Sequence, residues 1–153
     1  MDTANVAQPG VTLLIVEDDL LPAMALRDEL EDCGFHVLDL TGRHQEAVAA
    51  AKECHPDFAL VNIELEGRDD GIALASELKA MGIPVLFISG QVSRARSANT
   101  AAVGSLPKPY SPMDVVKAVN YLLHHLAGDE SLPRPEGLEV FDKVEKGEPE
   151  PIA

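Results

Sequence analysis

Five polar residues follow apolar runs in this chain of 153 residues, and their side chains are of the kinds that bind divalent cations and phosphoryl groups. Glu17 and Asp18 come directly after the first run, and Asn62 lies near the end of another. Ser89 ends a third run, and Lys108 follows a fourth. Carboxylate and carbonyl oxygens suit Mg²⁺, which keeps several waters and takes one or two protein carboxylates. If the runs are strands of one sheet, these residues predict a magnesium site that also holds a hydroxyl and an ammonium group.

Each of these residues alone has an ordinary structural role. An acidic residue after a strand often begins a helix, because the helix macrodipole favours negative charge there. A serine in that position often caps a turn, a lysine is usually solvated, and an asparagine is usually a satisfied loop amide. The five residues together indicate a site because they lie at the ends of different strands.

The segments that must position these residues alternate between strand and helix patterns. Five apolar segments are predicted strands, at residues 11–16, 35–40, 57–65, 84–89 and 103–106. Helices are predicted by apolar residues at helical spacing and by Gly or Pro at their ends. They begin at Asp19, span 43–54, end at Gly82, span 93–101 and run from Ser111 to Leu126.

This alternation predicts an α/β fold, a doubly wound parallel sheet of five strands covered by five helices on its two faces. In the flavodoxin-like strand order 2-1-3-4-5, the first and third strands are neighbours at the point where the order reverses. Because ligands bind beside the carboxyl ends of strands at that point, the five polar residues are expected to converge there.

Outside the predicted domain of residues 11–126, the sequence has no helix or strand periodicity. Residues 1–10 form an expected flexible lead-in that ends in Pro-Gly. Residues 127–153 contain four prolines, three glycines and many carboxylates, so we expect an acidic, solvated and disordered tail. Docking on the domain or on a partner is the alternative, through the tail's apolar residues Leu138, Val140, Phe141 and Val144.

Charge and hydropathy exclude several classes of function. The formal net charge of −14 disfavours direct binding to nucleic acid. No apolar run is long enough to cross a membrane, and no segment has the pattern of a signal peptide. The two cysteines lack metal-site spacing. A cytoplasmic protein is therefore the expectation.

The sequence resembles the receiver domain of bacterial two-component response regulators, the CheY-like family. The resemblance covers about residues 11–126, and no output domain follows it, so the chain is similar to stand-alone, single-domain receivers. The matching segments are Leu-Ile-Val-Glu-Asp-Asp at 14–19, Pro-Asp at 56–57 with Leu-Val-Asn-Ile at 60–63, Pro-Val-Leu-Phe-Ile-Ser-Gly at 84–90 and Leu-Pro-Lys-Pro-Tyr at 106–110.

The resemblance implies a cofactor and a role for each residue of the metal site. Glu17 and Asp18 would hold Mg²⁺, with the backbone carbonyl of Glu64 as a further ligand. The residue at position 62 would be the aspartate that accepts a phosphoryl group from a histidine kinase or a phosphotransferase protein.

The resemblance also implies two residues that respond to phosphorylation. Ser89 would be the switch hydroxyl that turns toward the phosphoryl group, and Lys108 would pair with the phosphoryl oxygens. The peptide bond from Lys108 to Pro109 is often cis in this family.

This chain departs from the family pattern at two positions. Asn62 has no anionic oxygen to attack phosphorus, so we predict that it accepts no phosphoryl group. Its carbonyl oxygen could still bind Mg²⁺, more weakly than an aspartate would. Ser105 stands where many receivers carry an aromatic residue. Two explanations of Asn62 remain open: an engineered block of a native aspartate, which we favour slightly, or a natural pseudo-receiver that signals without phosphorylation.

The function implied by the resemblance is that of a single-domain response regulator that acts by phosphorylation-dependent protein–protein interaction, without enzymatic activity. A downstream partner is expected on the face formed by the fourth helix, the fifth strand and the fifth helix, and the chain is expected to be a monomer or a weak dimer.

Two other classes of function remain as alternatives. One is a ligand-binding or scaffolding domain with ordinary loops at its strand ends. The other is a Mg²⁺-dependent phosphatase, which typically has Asp-x-Asp followed by Thr after its first strand. The sequence at residues 17–20, Glu-Asp-Asp-Leu, lacks that pattern.

Overall fold

The apolar runs form one six-stranded sheet at the centre of the computed structural model, which describes residues 10–65 and 70–141. The strands are β1 (Thr12–Val16), β2 (His36–Val37), β3 (Phe58–Asn62), β4 (Val85–Ser89), β5 (Gly104–Pro107) and β6 (Glu139–Val140). Their order is β2-β1-β3-β4-β5-β6; the first five are parallel, and β6 runs antiparallel to β5. The predicted 2-1-3-4-5 order is therefore confirmed.

Five helices cover the two faces of the sheet, as the sequence predicts. They are α1 (Leu20–Asp32), α2 (His44–Cys54), α3 (Gly71–Ala80), α4 (Val92–Ser97) and α5 (Pro112–Leu126). Helices α1 and α5 pack on one face, and α2, α3 and α4 pack on the other. No helix within residues 10–65 and 70–141 has the length and apolar character needed to cross a membrane.

The central strands read as continuous apolar runs because both of their faces are buried. In β1, Leu13 and Ile15 belong to the layer beneath α1 and α5, whereas Leu14 and Val16 belong to the opposite layer. Each of these four side chains is at most 1% exposed. Only the polar residues at the strand ends interrupt this packing, which is why those residues stand out in the sequence.

The structure shortens two of the predicted elements. Strand β2 has two residues rather than the six predicted. Beyond Val37 the chain pairs with β1 only through an isolated bridge between Val16 and Thr41. Helix α4 ends at Ser97 rather than at residue 101, and Ala95 is its one buried residue. A helix with so little apolar contact is weakly held by packing.

The prediction of five strands was wrong by one, because β6 comes from the segment expected to be a solvated tail. Leu138 and Phe141, on either side of β6, are only 6% and 5% exposed. The preference for disorder was therefore wrong for residues 138–141. Most of the predicted lead-in (residues 1–9) and the end of the chain (142–153), with Val144, lie outside the described residues.

Gly71, the first residue of α3, lets the chain return against the end of β3. Its N–H donates to the carbonyl of Ile63 at 3.0 Å. A Cβ atom at this position would lie 2.2 Å from the Asn62 carbonyl oxygen and 2.7 Å from the Cα of Ile63. Only glycine fits such a close backbone approach, which fixes the start of α3 beside residue 62.

We predict that Gly71→Ala lowers the free energy of unfolding by about 1 to 3 kcal/mol, because the added methyl group must push two backbone segments apart. Gly90→Ala is the matched control, since a Cβ there meets nothing within 4 Å. The control should change the free energy of unfolding by less than about 1 kcal/mol. Urea unfolding followed by far-ultraviolet circular dichroism measures both, and equal effects would contradict this account of Gly71.

Candidate functional site

The register of the parallel strands brings Glu17 and Asn62 together at the carboxyl edge of the sheet. Val16 pairs with Val61, so the residue after β1 and the last residue of β3 lie side by side. Asn62 pairs in turn with Ile88, which places Ser89 at the end of the next strand. The structure therefore brings Glu17, Asn62 and Ser89 to one edge of the sheet, as the strand order predicts.

Glu17 is a buried carboxylate surrounded by donors. Its side chain is 5% exposed. Its Oε2 accepts hydrogen bonds from the Asp19 N–H and from Nδ2 of Asn62, each at 3.0 Å. The ammonium nitrogen of Lys108 lies 3.8 Å from Oε1. A carboxylate this deeply buried needs such partners, because desolvation of an unpaired charge is costly.

Burial is the main cause that raises the pKa of the Glu17 carboxyl above its ordinary value. The Asp19 N–H and the positive charge of Lys108 act in the opposite direction and only partly offset it. Burial also raises the pKa of Tyr110 to about 12, with a smaller contribution from the charge of Glu17. Tyr110 therefore keeps its proton at neutral pH and adds no negative charge to the site.

Asn62 turns the nitrogen of its amide toward the Glu17 carboxylate. While Nδ2 donates to Glu17, Oδ1 accepts a hydrogen bond from the backbone N–H of Glu64 at 3.3 Å. The two bonds together fix which end of the amide faces Glu17. An aspartate could not make the first of these bonds, since it has no proton to donate.

Ser89 joins the site to the start of α4. Its hydroxyl is buried and donates to Oε2 of Glu64 at 2.9 Å. The hydroxyl oxygen of Ser89 in turn accepts the backbone N–H of Gln91, the residue at the N-cap position of α4, at 2.7 Å. The sequence assigned Glu64 only a backbone role. Its carboxylate contact went unpredicted because spacing does not show where a side chain points once a strand has ended.

Lys108 reaches the site from the loop that follows β5. Its backbone N–H donates to the carbonyl of Ser89 at 2.9 Å, and its side chain is 36% exposed. The peptide bond between Lys108 and Pro109 is cis, as the family resemblance implied. Among the described residues, the ammonium group of Lys108 pairs with the carboxylate of Glu17.

Glu17 and Asp18 supply two carboxylates at this edge of the sheet, and carboxylate oxygens are of the kind that bind Mg²⁺. Asp18 follows Glu17 and is half-exposed. Among the residues that the structure describes, no three His, Cys, Asp or Glu side chains form a metal site by themselves. Mg²⁺ needs only one or two carboxylates because it keeps its waters. The amide nitrogen of Asn62 faces Glu17 and its oxygen accepts the Glu64 N–H, so binding of Mg²⁺ by that oxygen stays a prediction.

The structure thus forms two connected groups from the predicted residues. In the first group, the Glu17 carboxylate accepts from the Asn62 amide and pairs with the Lys108 ammonium; in the second, Ser89 contacts the Glu64 carboxylate. The hydrogen bond from the Glu64 N–H to Asn62 joins the two groups.

Comparison with known proteins agrees with this geometry. The family model for the response regulator receiver domain matches residues 13–120. The chain belongs to the response regulator receiver family. It is therefore a CheY-like receiver of the type used in two-component signalling, and the resemblance stated from the sequence is confirmed.

Three relatives show the extent of the similarity. The transcriptional regulatory protein PdtaR of Mycobacterium tuberculosis is 34% identical over 113 residues, which is 70% of this chain and 54% of PdtaR. The chemotaxis protein CheY of Halobacterium salinarum is 31% identical over 116 residues, 72% of this chain and 95% of that protein. The solved structure of the response regulator PhyR from Brucella abortus has 25% identity and a TM-score of 0.71, covering 82% of this chain and 52% of PhyR. The chain spans about half the length of PdtaR and PhyR.

We predict that Asn62→Asp lowers the free energy of unfolding in metal-free buffer by about 1 to 3 kcal/mol, because it removes the donor to buried Glu17 and adds a second carboxylate beside it. Mg²⁺ should recover the loss, because an ion bound only by the folded state stabilises it. Urea unfolding with EDTA and with Mg²⁺ measures both effects.

Asn99→Asp, the same chemical change in a turn at the other end of the sheet, is the control and should respond to neither condition. If Asn62→Asp matches the unsubstituted chain in EDTA and gains nothing from Mg²⁺, the assignment of the hydrogen bond between Asn62 and Glu17 is wrong.

Proposed function

We propose that this chain is a receiver that acts through protein–protein contact in a two-component or phosphorelay system, and that its position 62 accepts no phosphoryl group. The observation that carries the proposal is the amide nitrogen of Asn62, which occupies the side of the residue that faces Glu17. An amide lacks the anionic oxygen that would attack phosphorus.

The residues around Asn62 keep the roles that a phosphorylatable site needs. Glu17 and Asp18 would hold Mg²⁺, and when bound the ion neutralises negative charge on phosphoryl oxygens. Lys108 supplies a second positive charge beside Glu17. The kinase or phosphotransferase that would phosphorylate an aspartate at position 62 therefore finds every part of the site except its nucleophile.

The face formed by α4, β5 and α5 is the proposed surface for a downstream partner. Helix α4 is short, has one buried residue, Ala95, and exposes Arg96. Its cap, Gln91, is bonded to Ser89. A rearrangement at Ser89 would therefore reach α4 directly, and a helix with few packing contacts moves at low cost.

We predict that intact-mass spectrometry, after incubation with a small phosphodonor and Mg²⁺, finds no phosphoryl group on this chain and one on Asn62→Asp. The reason is that only the variant has the nucleophile. Asn62→Asp with EDTA is the control for metal dependence, and it should incorporate much less phosphoryl group than Asn62→Asp with Mg²⁺. Phosphorylation of the unsubstituted chain, or failure of a folded Asn62→Asp chain to be phosphorylated, would contradict the proposal.

A second candidate function is that of a pseudo-receiver whose signalling state needs no phosphorylation. The observation that favours it is the hydrogen bond from Ser89 to the carboxylate of Glu64. A carboxylate oxygen accepts the switch hydroxyl as a phosphoryl oxygen would, so α4 is held by a group that belongs to the chain itself. On this view the Asn62 form is the working form.

If the bond between Glu64 and Ser89 holds α4, Glu64→Gln and Ser89→Ala should each accelerate exchange of the Ala95 amide by about two- to tenfold. Their double variant should resemble Ser89→Ala alone, because Ser89→Ala already removes the bond to Glu64 together with the bond from the Gln91 N–H. Hydrogen exchange by NMR measures this, with the amide of Leu60 in β3 as the internal control. Unchanged exchange at Ala95 in both variants would exclude this candidate.

A further inference from the structure

Strand β6 closes an edge of the sheet that would otherwise be open. Gly104 pairs with Val140 and Ser105 pairs with Glu139, and the Phe141 N–H donates to the Val103 carbonyl at 2.9 Å. Without these bonds β5 would be an edge strand with unpaired backbone groups, which readily pair with another chain. We call residues 138–141 the latch.

The latch is anchored on both faces of the sheet. Leu138 packs in the layer that contains α1 and α5, and Phe141 packs in the layer that contains α2, α3 and α4. Glu139 and Val140 between them are half-buried. One apolar anchor in each layer fixes the register of a strand that is only two residues long.

Position 104 is shaped for the backbone of an added strand. A Cβ atom on Gly104 would lie 2.7 Å from the carbonyl oxygen of Glu139, whereas the nearest atoms of Leu122 and Leu138 would be at an ordinary 3.6 Å. Gly104 has no left-handed φ to explain it. Its role is to admit the neighbouring backbone, so a side chain at this position would push the paired strand away.

An ion pair joins the latch to α4. The Nε atom of Arg96 lies 2.8 and 3.1 Å from the two carboxylate oxygens of Glu139. Glu139 stands opposite Ser105, and side chains of directly paired residues share a face of the sheet. The contacts therefore run from Ser89 through the cap of α4 to Arg96, and from Arg96 to the latch.

We infer that the latch is a self-inhibitory strand, and that it detaches so that an extended segment of a partner protein can pair with β5. The segment that fits has the pattern of residues 138–141: an apolar residue, an acidic residue for Arg96, and two more apolar residues. This inference rests on the proposed function, which places partner binding on the face formed by α4, β5 and α5.

The latch is built to open before the rest of the domain. It has two strand residues, and the pair that ties it to α4 is solvent-exposed, with side chains 63% and 39% exposed. Exposed ion pairs of this kind add little stability. Because the latch is part of the same chain, it competes with a free segment at an effective concentration of about millimolar.

The first test measures amide exchange by NMR in the full-length chain. The Phe141 amide should exchange at least about tenfold faster than the Leu60 amide of β3, because the latch opens locally. Glu139→Lys, which replaces attraction to Arg96 with repulsion and leaves both apolar anchors in place, should accelerate exchange at Phe141 by at least about threefold and leave Leu60 unchanged. Equal exchange at Phe141 and Leu60 would overturn the inference.

The second test adds a synthetic peptide of residues 135–141, Pro-Glu-Gly-Leu-Glu-Val-Phe, at millimolar concentration. In the Glu139→Lys chain it should shift the resonances of Val103, Ser105 and Arg96, with at least about threefold weaker effects in the unsubstituted chain, whose latch competes. A Gly104→Ala chain, closed to any strand, should show no such shifts. The inference fails if the Glu139→Lys chain does not respond or if Gly104→Ala responds equally.

Neither test uses a phosphodonor, so both can succeed or fail independently of the chemistry at position 62. Coupling between position 62 and the latch is measured on phosphorylated Asn62→Asp, after mass spectrometry has verified the modification. Phosphorylation should accelerate exchange at Phe141. If the variant is not phosphorylated, the proposed function fails while the self-inhibitory strand stands. If it is phosphorylated and exchange is unchanged, the latch is not controlled by the site.

Discussion

The burial of the Glu17 carboxylate is the constraint on which the site depends. Strand β1 delivers this side chain to a place from which water is largely excluded, and its charge must be met by donors. The Asp19 N–H, the Asn62 amide and the Lys108 ammonium meet it. In a phosphorylatable receiver an aspartate would stand at position 62 and a cation would balance the carboxylates. Here the amide supplies a donor instead, so the site is internally satisfied.

Most of the fold could be predicted from the sequence because parallel strands buried on both faces must be apolar along their length. The runs at β1, β3 and β4 and the helix-ending glycines Gly34 and Gly82 therefore mark the alternation of strands and helices. The strand order then brings Glu17, Asn62 and Ser89 to one edge without any coordinates. Among the helices, α4 was the least well predicted, since it has no apolar stripe to mark its end.

Two features could not be predicted, and for different reasons. The contact between Glu64 and Ser89 depends on the direction of a side chain beyond a strand end, where no periodicity applies. The latch was misjudged because the segment that contains it, residues 127–153, has the prolines, glycines and carboxylates typical of solvated segments, while the stability of the latch comes from tertiary contacts of Leu138 and Phe141. Gly104 was the available signal: a glycine inside a predicted strand indicates close approach of another backbone.

The central claim is that the Asn62 amide satisfies the buried carboxylate of Glu17, and its side-chain NH₂ group reports this most directly by NMR. The account predicts that these protons exchange slowly in metal-free buffer and that their resonances move on titration with Mg²⁺, because the ion competes with the amide for Glu17. Glu17→Gln should abolish the response to Mg²⁺. Side-chain protons that exchange as fast as those of an exposed asparagine, and that ignore Mg²⁺, would contradict the account.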